Sequence, residues 1–320
     1  MIDLGPSDYP YKPERRILLA APRGFCAGVR RAIDAVRDAI RYHGAPVYVR
    51  RAIVHNLDVV RSLEAEGAIF VQELDEVPEG AVVIFSAHGV APEIADDAKL
   101  RRLKSFDAVC PLVSKVHREV ERHQRAGRTV ILVGHVGHPE IEGTLGHARG
   151  GEVFVVNSAE DVAALALHPD DPVAYAIQTT YSVEDAAAII VALRRRFKDL
   201  AAPSSSDICY ATTNRQAAVR EVAAQADTVI VVGERFSSNA NRLAEVAGQT
   251  CASVQLVAGP DDLNWSELSG AETIGVSAAA STPETAVEAV LGSLAGRSRL
   301  IIDEVEAIRE TTVFKRLAVA

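Results

Sequence analysis

Short apolar runs recur along this chain, each closed by polar or glycine-rich positions and followed by a helix-like stretch. Ile17-Leu18-Leu19-Ala20-Ala21 is the first, and after "PRGFC" a helical pattern begins at Ala27. Farther on, "FDAVC" runs into the amphipathic "PLVSKVHREVERHQRAG", and "SSDIC" into "YATTNRQAAVREVAAQ". Strands alternating with helices in this way predict an α/β fold with mainly parallel sheets covered by helices.

The alternation keeps a threefold phase. Three times a strand ends, a cysteine follows, and a helix begins: Cys26 before Ala27, Cys110 before Pro111, and Cys209 before Tyr210. These are strand-to-helix turns. Each helix leads to a second β-rich run, "APVYVRRAIVHN", "RTVILVGHVGHPE" or "DTVIVVGERFSSN". His55 lies 29 residues beyond Cys26, His138 lies 28 beyond Cys110, and Ser237 lies 28 beyond Cys209. A further strand closes each unit in "AVVIFSAHGV", "PVAYAIQTTYS" and "TIGVSAAASTP", whose tips carry His88, Thr179 and Ser281. The chain therefore reads as three tandem α/β subdomains related by a pseudo-threefold: 15–106 with Cys26, 107–206 with Cys110 and 207–297 with Cys209, then a C-terminal tail over 298–320. Loops at the carboxyl ends of parallel strands carry ligands. Three cysteine loops and six polar tips are thus expected to converge on one centre.

Composition narrows what that centre does. At 320 residues the chain exceeds the usual size of one core. Its net charge of −9 argues against nucleic acid or an anionic membrane as partner. No apolar stretch approaches bilayer length, and "MIDLGPSDYPYKPE" lacks a signal-peptide core, so the expected location is the cytoplasm. In a reducing compartment, four cysteines with no CxxC pair leave thiolate chemistry, metal ligation or plain packing open. Cys251, in "GQTCASVQLV", matches no repeat position and reads as core.

Cysteines at helix N-termini are expected to ionise readily, because free N–H groups and the helix dipole stabilise a thiolate. Finger-type zinc sites use closely spaced pairs, whereas these cysteines are far apart. An iron-sulfur cluster held by three thiolates would leave one iron open to a substrate oxygen. Around the centre, His55, Asn56, His88, His138, Ser237, Ser238, Asn239 and Ser281 are donors with few acceptors among them. Such a set suits a phosphate or diphosphate. Glu140 is the one carboxylate at these tips, which points to proton transfer, the plainer alternative being a charge at a helix N-terminus. Two other readings stay open: a cluster-bearing redox sensor, and a nucleotide-binding module using the loops at Gly134 and Gly233. The second lacks a GxGxxG or P-loop pattern.

Eight ordered motifs, "PRGFCAGV", "VHN", "SAHGV", "CPLVSKVH", "GHPEIEGT", "QTT", "DICYATTNRQ" and "SSNANRL", resemble the LytB/IspH family of 4-hydroxy-3-methylbut-2-enyl diphosphate reductases. The resemblance runs from about Arg23 to Pro283. It implies a trefoil of three α/β domains around a 4Fe-4S cluster, with Cys26, Cys110 and Cys209 as its three ligands and one open iron. It further implies that His55, His88, Ser237, Asn239 and Ser281, helped by His138 and Ser238, hold the substrate diphosphate. Glu140 would deliver a proton and Thr179 would position the substrate hydroxyl. The family removes that hydroxyl by two-electron reduction, giving isopentenyl and dimethylallyl diphosphate in the non-mevalonate isoprenoid pathway, with electrons from a ferredoxin or flavodoxin. Three places depart from the pattern: Val136 where an acid is common, Arg235-Phe236 where Lys-Asn is usual, and Ala279 where Gly is usual. Alanine resists the positive φ that glycine allows, so Ala279 bears on the geometry at Ser281.

Overall fold

The structure, a computed structural model, describes residues 12–148 and 150–320. Most of the N-terminal stretch read above for a signal peptide, through residue 11, lies outside the described residues. In chain order the strands are β1 (Glu14–Ala21), β2 (Val47–Arg50), β3 (Ala68–Val71), β4 (Val82–Phe85), β5 (Lys104–Asp107), β6 (Thr129–Val133) and β7 (Val153–Val156). There follow β8 (Val173–Ile177), β9 (Leu200–Ala201), β10 (Thr228–Val232), β11 (Val254–Val257), β12 (Thr273–Ala278) and β13 (Arg299–Glu306). They form three sheets, ordered β3-β2-β4-β5, β7-β6-β8-β9 and β11-β10-β12-β1-β13. Every ladder among the described residues is parallel.

The sequence pattern follows from this architecture. Val130 through Val133 are fully buried although successive side chains face opposite sides of the sheet. Helices cover both faces, so parallel strands read as continuous apolar runs. One face of the second sheet packs Ile131, Val133 and Tyr175 under the helix Val183–Arg196. The other packs Val130 and Leu132 against Val116 and Val120 of the helix Pro111–Arg125.

Two of the expected boundaries are redrawn by strand pairing. β1, assigned above to the first unit, lies in the third sheet, paired with β12 from Arg16↔Thr273 to Leu19↔Val276. Its apolar run demands cover on both faces and a neighbour on each side, which only an interior position supplies. Residues 298–320 are not simply a tail either, because β13 pairs with β1 from Glu14↔Arg299 to Ala21↔Glu306. β13 alternates partly buried with exposed residues, as suits the sheet edge it occupies. β1 takes in the third sheet the place that β5 and β9 take in the first and second. Each cysteine loop therefore leaves the strand that completes the preceding unit's sheet, and the N-terminal strand closes the ring. No helix among the described residues is long and apolar enough to cross a membrane.

Candidate functional site

Cys26, Cys110 and Cys209 are the N-caps of the helices Ala27–His43, Pro111–Arg125 and Tyr210–Ala223. Each cap has extended backbone, and Pro111 sets the first turn of the second helix. The Cys26 Sγ accepts the Val29 N–H at 3.4 Å, and the Cys209 Sγ accepts the Thr212 N–H at 3.3 Å. All three line one cavity. At Gly28 the missing side chain makes that possible: a Cβ there would lie 2.8 Å from the Cys110 Sγ and 3.7 Å from the Cys26 Sγ. The same hydrogen bond anchors each cysteine. Its N–H donates to a carbonyl at a strand tip: Cys26 to Ala280 (3.2 Å), Cys110 to Ala87 (3.0 Å) and Cys209 to Thr179 (3.0 Å).

The expectation that these thiols ionise readily is reversed for two of them. Burial pushes the Cys110 thiol up to about 12 and the Cys209 thiol up to about 11, and neighbouring cysteines add to the effect. Desolvation outweighs the amide hydrogen bonds, so the thiolates need a cationic centre. No three His, Cys, Asp or Glu side chains among the described residues are grouped to hold a single metal ion.

The predicted donors line the same cavity. His55, His88, His138, Ser237, Ser238, Asn239 and Ser281 are all there. The His55 and His88 rings stack at 4.1 Å, and His138 stands edge-on to them at 5.4 and 6.0 Å. Burial lowers His55 to about 4 and His138 to about 3, and takes His88 well below its ordinary value. The three rings are therefore neutral near pH 7. His138 caps the helix Pro139–Gly146, its Nδ1 accepting the Glu140 N–H at 3.1 Å. The ring proton then sits on Nε2, which is buried without a protein partner. Asn239 is similarly arranged. Its Oδ1 accepts the Ala280 N–H at 2.8 Å, which leaves Nδ2 buried and unpaired. Ser237 caps the helix Ser238–Gly248, and the Ser281 hydroxyl donates to the His55 carbonyl at 3.1 Å. Asn56 is the exception among the donors. Its side chain accepts the Val59 N–H at 3.0 Å as the cap of the helix Leu57–Glu66, a local structural role.

Glu140 is 2% exposed and locked to Thr179. One carboxylate oxygen accepts the Thr179 N–H at 2.6 Å and the other accepts its hydroxyl at 2.8 Å. Burial raises Glu140 to about 7 despite these hydrogen bonds, and Asp207 adds a smaller push in the same direction. Sequence reasoning overlooked Asp207 and Thr180. The Asp207 carboxylate accepts the Ile177 N–H at 3.0 Å and pairs with Lys115 at 2.9 Å, tying the Cys209 loop to the end of β8. Thr180 lines the cavity and donates to the Ser238 hydroxyl at 3.3 Å. It is also the true counterpart of His88 and Ser281, each of which directly follows the carbonyl that receives a cysteine N–H. The second threonine of "QTT" was its signal.

The departures from the family pattern are accommodated. Ala279 is fully buried, and the non-glycine residues with positive φ among those described are Arg51 and Arg102, so Ala279 carries no such strain. A Cβ on Gly233 would lie 3.0 Å from the Ala279 Cβ, so bare backbone opposite makes room for the extra methyl. Val136 and Phe236 are exposed and line a depression beside the cavity with His55 and His138.

Comparisons with known proteins agree with this geometry. The profile of the LytB protein family matches residues 17–295. A 4-hydroxy-3-methylbut-2-enyl diphosphate reductase of Phenylobacterium zucineum is 51% identical over 308 residues, 96% of this chain and 98% of that protein. One from Glaesserella parasuis is 50% identical over 302 residues, 93% of this chain and 96% of its own length. Among solved structures, the E-1-hydroxy-2-methyl-but-2-enyl-4-diphosphate reductase of Plasmodium falciparum superposes with a TM-score of 0.88 at 36% identity, covering 96% of each chain. The similarity thus spans nearly the full length of these relatives, and this chain belongs to the LytB family.

Proposed function

We propose that the chain is a 4-hydroxy-3-methylbut-2-enyl diphosphate reductase, which replaces the allylic hydroxyl of its substrate by hydrogen. Two electrons and two protons convert the C–O bond into a C–H bond and water, giving isopentenyl or dimethylallyl diphosphate. One observation carries this reading: three cysteine thiols and two unpaired donors, His138 Nε2 and Asn239 Nδ2, line a single cavity, and a buried carboxyl near neutral pKa, Glu140, is held against its lining residue Thr179. A redox sensor has no need of the last three.

The residues present fit an iron-sulfur cluster. Buried thiols with raised pKa values require a strongly cationic partner, and they are not grouped around a single ion. Cys26, Cys110 and Cys209 would hold a 4Fe-4S cluster with one iron left open. When bound, the cluster supplies electrons one at a time and a Lewis-acidic iron for the substrate oxygen.

The chain's own residues do the rest. His55, His88, Ser237, Asn239 and Ser281, with His138 and Ser238, hold the diphosphate. Two helix N-termini, capped by His138 and Ser237, add favourable potential for an anion. Thr179 orients the substrate hydroxyl while fixing the Glu140 carboxyl, and Glu140 gives its proton to the departing oxygen. Burial keeps that acid form available near neutrality. Electrons come from a ferredoxin or flavodoxin, and the free cysteines suit a reducing cytoplasm.

The test is anaerobic reconstitution with iron and sulfide, followed by substrate and a small one-electron reductant. A brown cluster absorbance with conversion to the two diphosphate products is expected. A loaded protein that leaves the substrate untouched would favour the sensor instead.

A further inference from the structure

The first turn of the Cys26 helix has two faces. Gly28 and Val29 turn toward the thiol cavity. Ala27, Arg30, Arg31 and Asp34, spaced i, i+3, i+4 and i+7, share the opposite face and line a wide surface groove. Phe25 and Ala27, which flank Cys26 in sequence, both border that groove. Groove and thiol are thus separated by one helix diameter, ~10 Å.

The segment after β13 builds the other wall, with Val313 and Phe314 bordering the groove. Arg31 donates to the Lys315 carbonyl at 3.1 Å, and Glu310 pairs with the buried Arg215 at 2.9 Å. Five arginines and four carboxylates line the groove, but they are unevenly engaged. Arg23 takes Glu284 and Glu304, and Arg215 takes Glu310. Arg31 spends its donors on the carbonyls of Ala108, Val109 and Lys315. Left at the rim are Arg30, which has no carboxylate partner among the described residues, and Arg316. The Arg316 side chain is 68% exposed and reaches Asp34 and Asp38 only at 3.8 and 3.7 Å. Arg30 lies 5.8 Å from the Phe25 ring centre. In a chain of net charge −9, Arg30 and Arg316 thus stand at the rim of a groove directly behind one thiol.

We propose that this groove docks the acidic one-electron carrier protein that reduces the site, an inference that rests on the reductase reading above. Each docking oxidises one reduced carrier by one electron, and two dockings supply the pair consumed with two protons in breaking the C–O bond. Opposite charge steers such partners together, and a small interface lets them part quickly. The depression at Val136 and Phe236 is a poorer candidate, because a carrier seated there would cover the side of the cavity lined by the substrate donors.

The double variant Arg30→Glu/Arg316→Glu tests this in the cluster-loaded enzyme. Turnover is measured with methyl viologen and, separately, with a purified acidic ferredoxin and a purified acidic flavodoxin; calorimetry gives the Kd of each oxidised carrier. The Kd and KM for the carriers should rise at least about tenfold while the methyl viologen rate stays within about twofold. Raising ionic strength should weaken carrier binding by wild type and have little effect on the variant. Arg30→Lys/Arg316→Lys, which keeps the charge, should bind the carriers as wild type does. Unchanged Kd and KM in the reversed variant overturn the docking site. Should wild type fail with every reductant, the reductase reading falls instead, and the calorimetric comparison still decides the groove. If reversal also costs methyl viologen turnover, the carrier Kd of Arg30→Gln/Arg316→Gln against that of the lysine pair decides it.

Discussion

Replacing Glu140 by Gln removes one titratable proton and leaves the surroundings nearly intact. The glutamine carbonyl can still accept the Thr179 N–H, now at 2.6 Å, and its amide can donate to the Thr179 hydroxyl, now at 2.8 Å. Burial lifts the carboxyl from its ordinary 4.5 to about 7. At 1.36 kcal/mol per pKa unit, ionising it in the folded protein costs roughly 3 kcal/mol more than in the unfolded chain. The native state holds this proton more tightly than the unfolded state, so stability falls as pH rises from about 4.5 to about 7 and stays reduced above that. Glu140→Gln lacks this penalty. It should match wild type near pH 4.5 and exceed it at pH 8 by up to roughly 3 kcal/mol in anaerobic denaturant unfolding. Iron content and diphosphate affinity should be unchanged, yet turnover with methyl viologen should fall at least about a hundredfold, the low end for general acid catalysis. The wild-type kcat/KM should decline as pH rises through about 7. Near-normal turnover in the variant, or a flat wild-type profile between pH 6 and 8, would refute the assignment of Glu140 as the acid.

Serine at Cys26, Cys110 or Cys209 should lower iron and sulfide content, whereas Cys251→Ser should retain both. The Cys251 thiol is buried and packs within 3.5 Å of three backbone carbonyls away from the cavity. Gly28→Ala places a methyl 2.8 Å from the Cys110 Sγ, so reconstitution should yield less cluster, read as lower absorbance per chain, although the fold is kept. Inorganic diphosphate should compete with substrate, and Asn239→Ala or His88→Ala should each weaken its binding by roughly 1.5 to 3 kcal/mol, as for a hydrogen bond to a charged group. Unchanged calorimetric affinity in both variants would place the anion elsewhere.

The cysteine turns were legible because their determinants are local. An extended cap cysteine, the end of a short apolar strand before it and a helical run starting directly after it all sit within a few neighbours of each thiol. Sheet membership is long-range, and there the reading slipped. β1 begins the chain's regular structure, yet its partners are β12 and β13, more than 250 residues away. A signal was present in each strand: the run Ile17-Leu18-Leu19-Ala20 calls for an interior position, and "RLIIDEVE" has enough alternation for an edge strand. Ionisation was harder still. Helix N-termini argued for easy thiolates, but the depth of Cys110 and Cys209 depends on the packing of all three units. The raised pKa of Glu140 comes chiefly from burial, which likewise depends on packing that no local pattern records.

The anchoring hydrogen bonds explain why thiols and donors belong to one device. The carbonyl that receives the Cys26 N–H belongs to Ala280, whose own N–H fixes Asn239 and whose neighbour is Ser281. The carbonyl that receives the Cys110 N–H belongs to Ala87, next to His88, and Thr179 receives that of Cys209 while gripping Glu140. Each thiol is thus set by a loop that also presents a proposed anion donor or, at Thr179, grips the proposed acid. On the proposed reading, the same construction would attract an anion without cations crowding the site. Three charged imidazoles within 4.1 to 6.0 Å of one another would repel strongly. Burial keeps them neutral instead, and directional N–H groups with two helix N-termini supply positive potential at little desolvation cost. An arriving diphosphate would restore the missing counter-charge, drawing the imidazole pKa values back up and tightening the grip as the ligand settles.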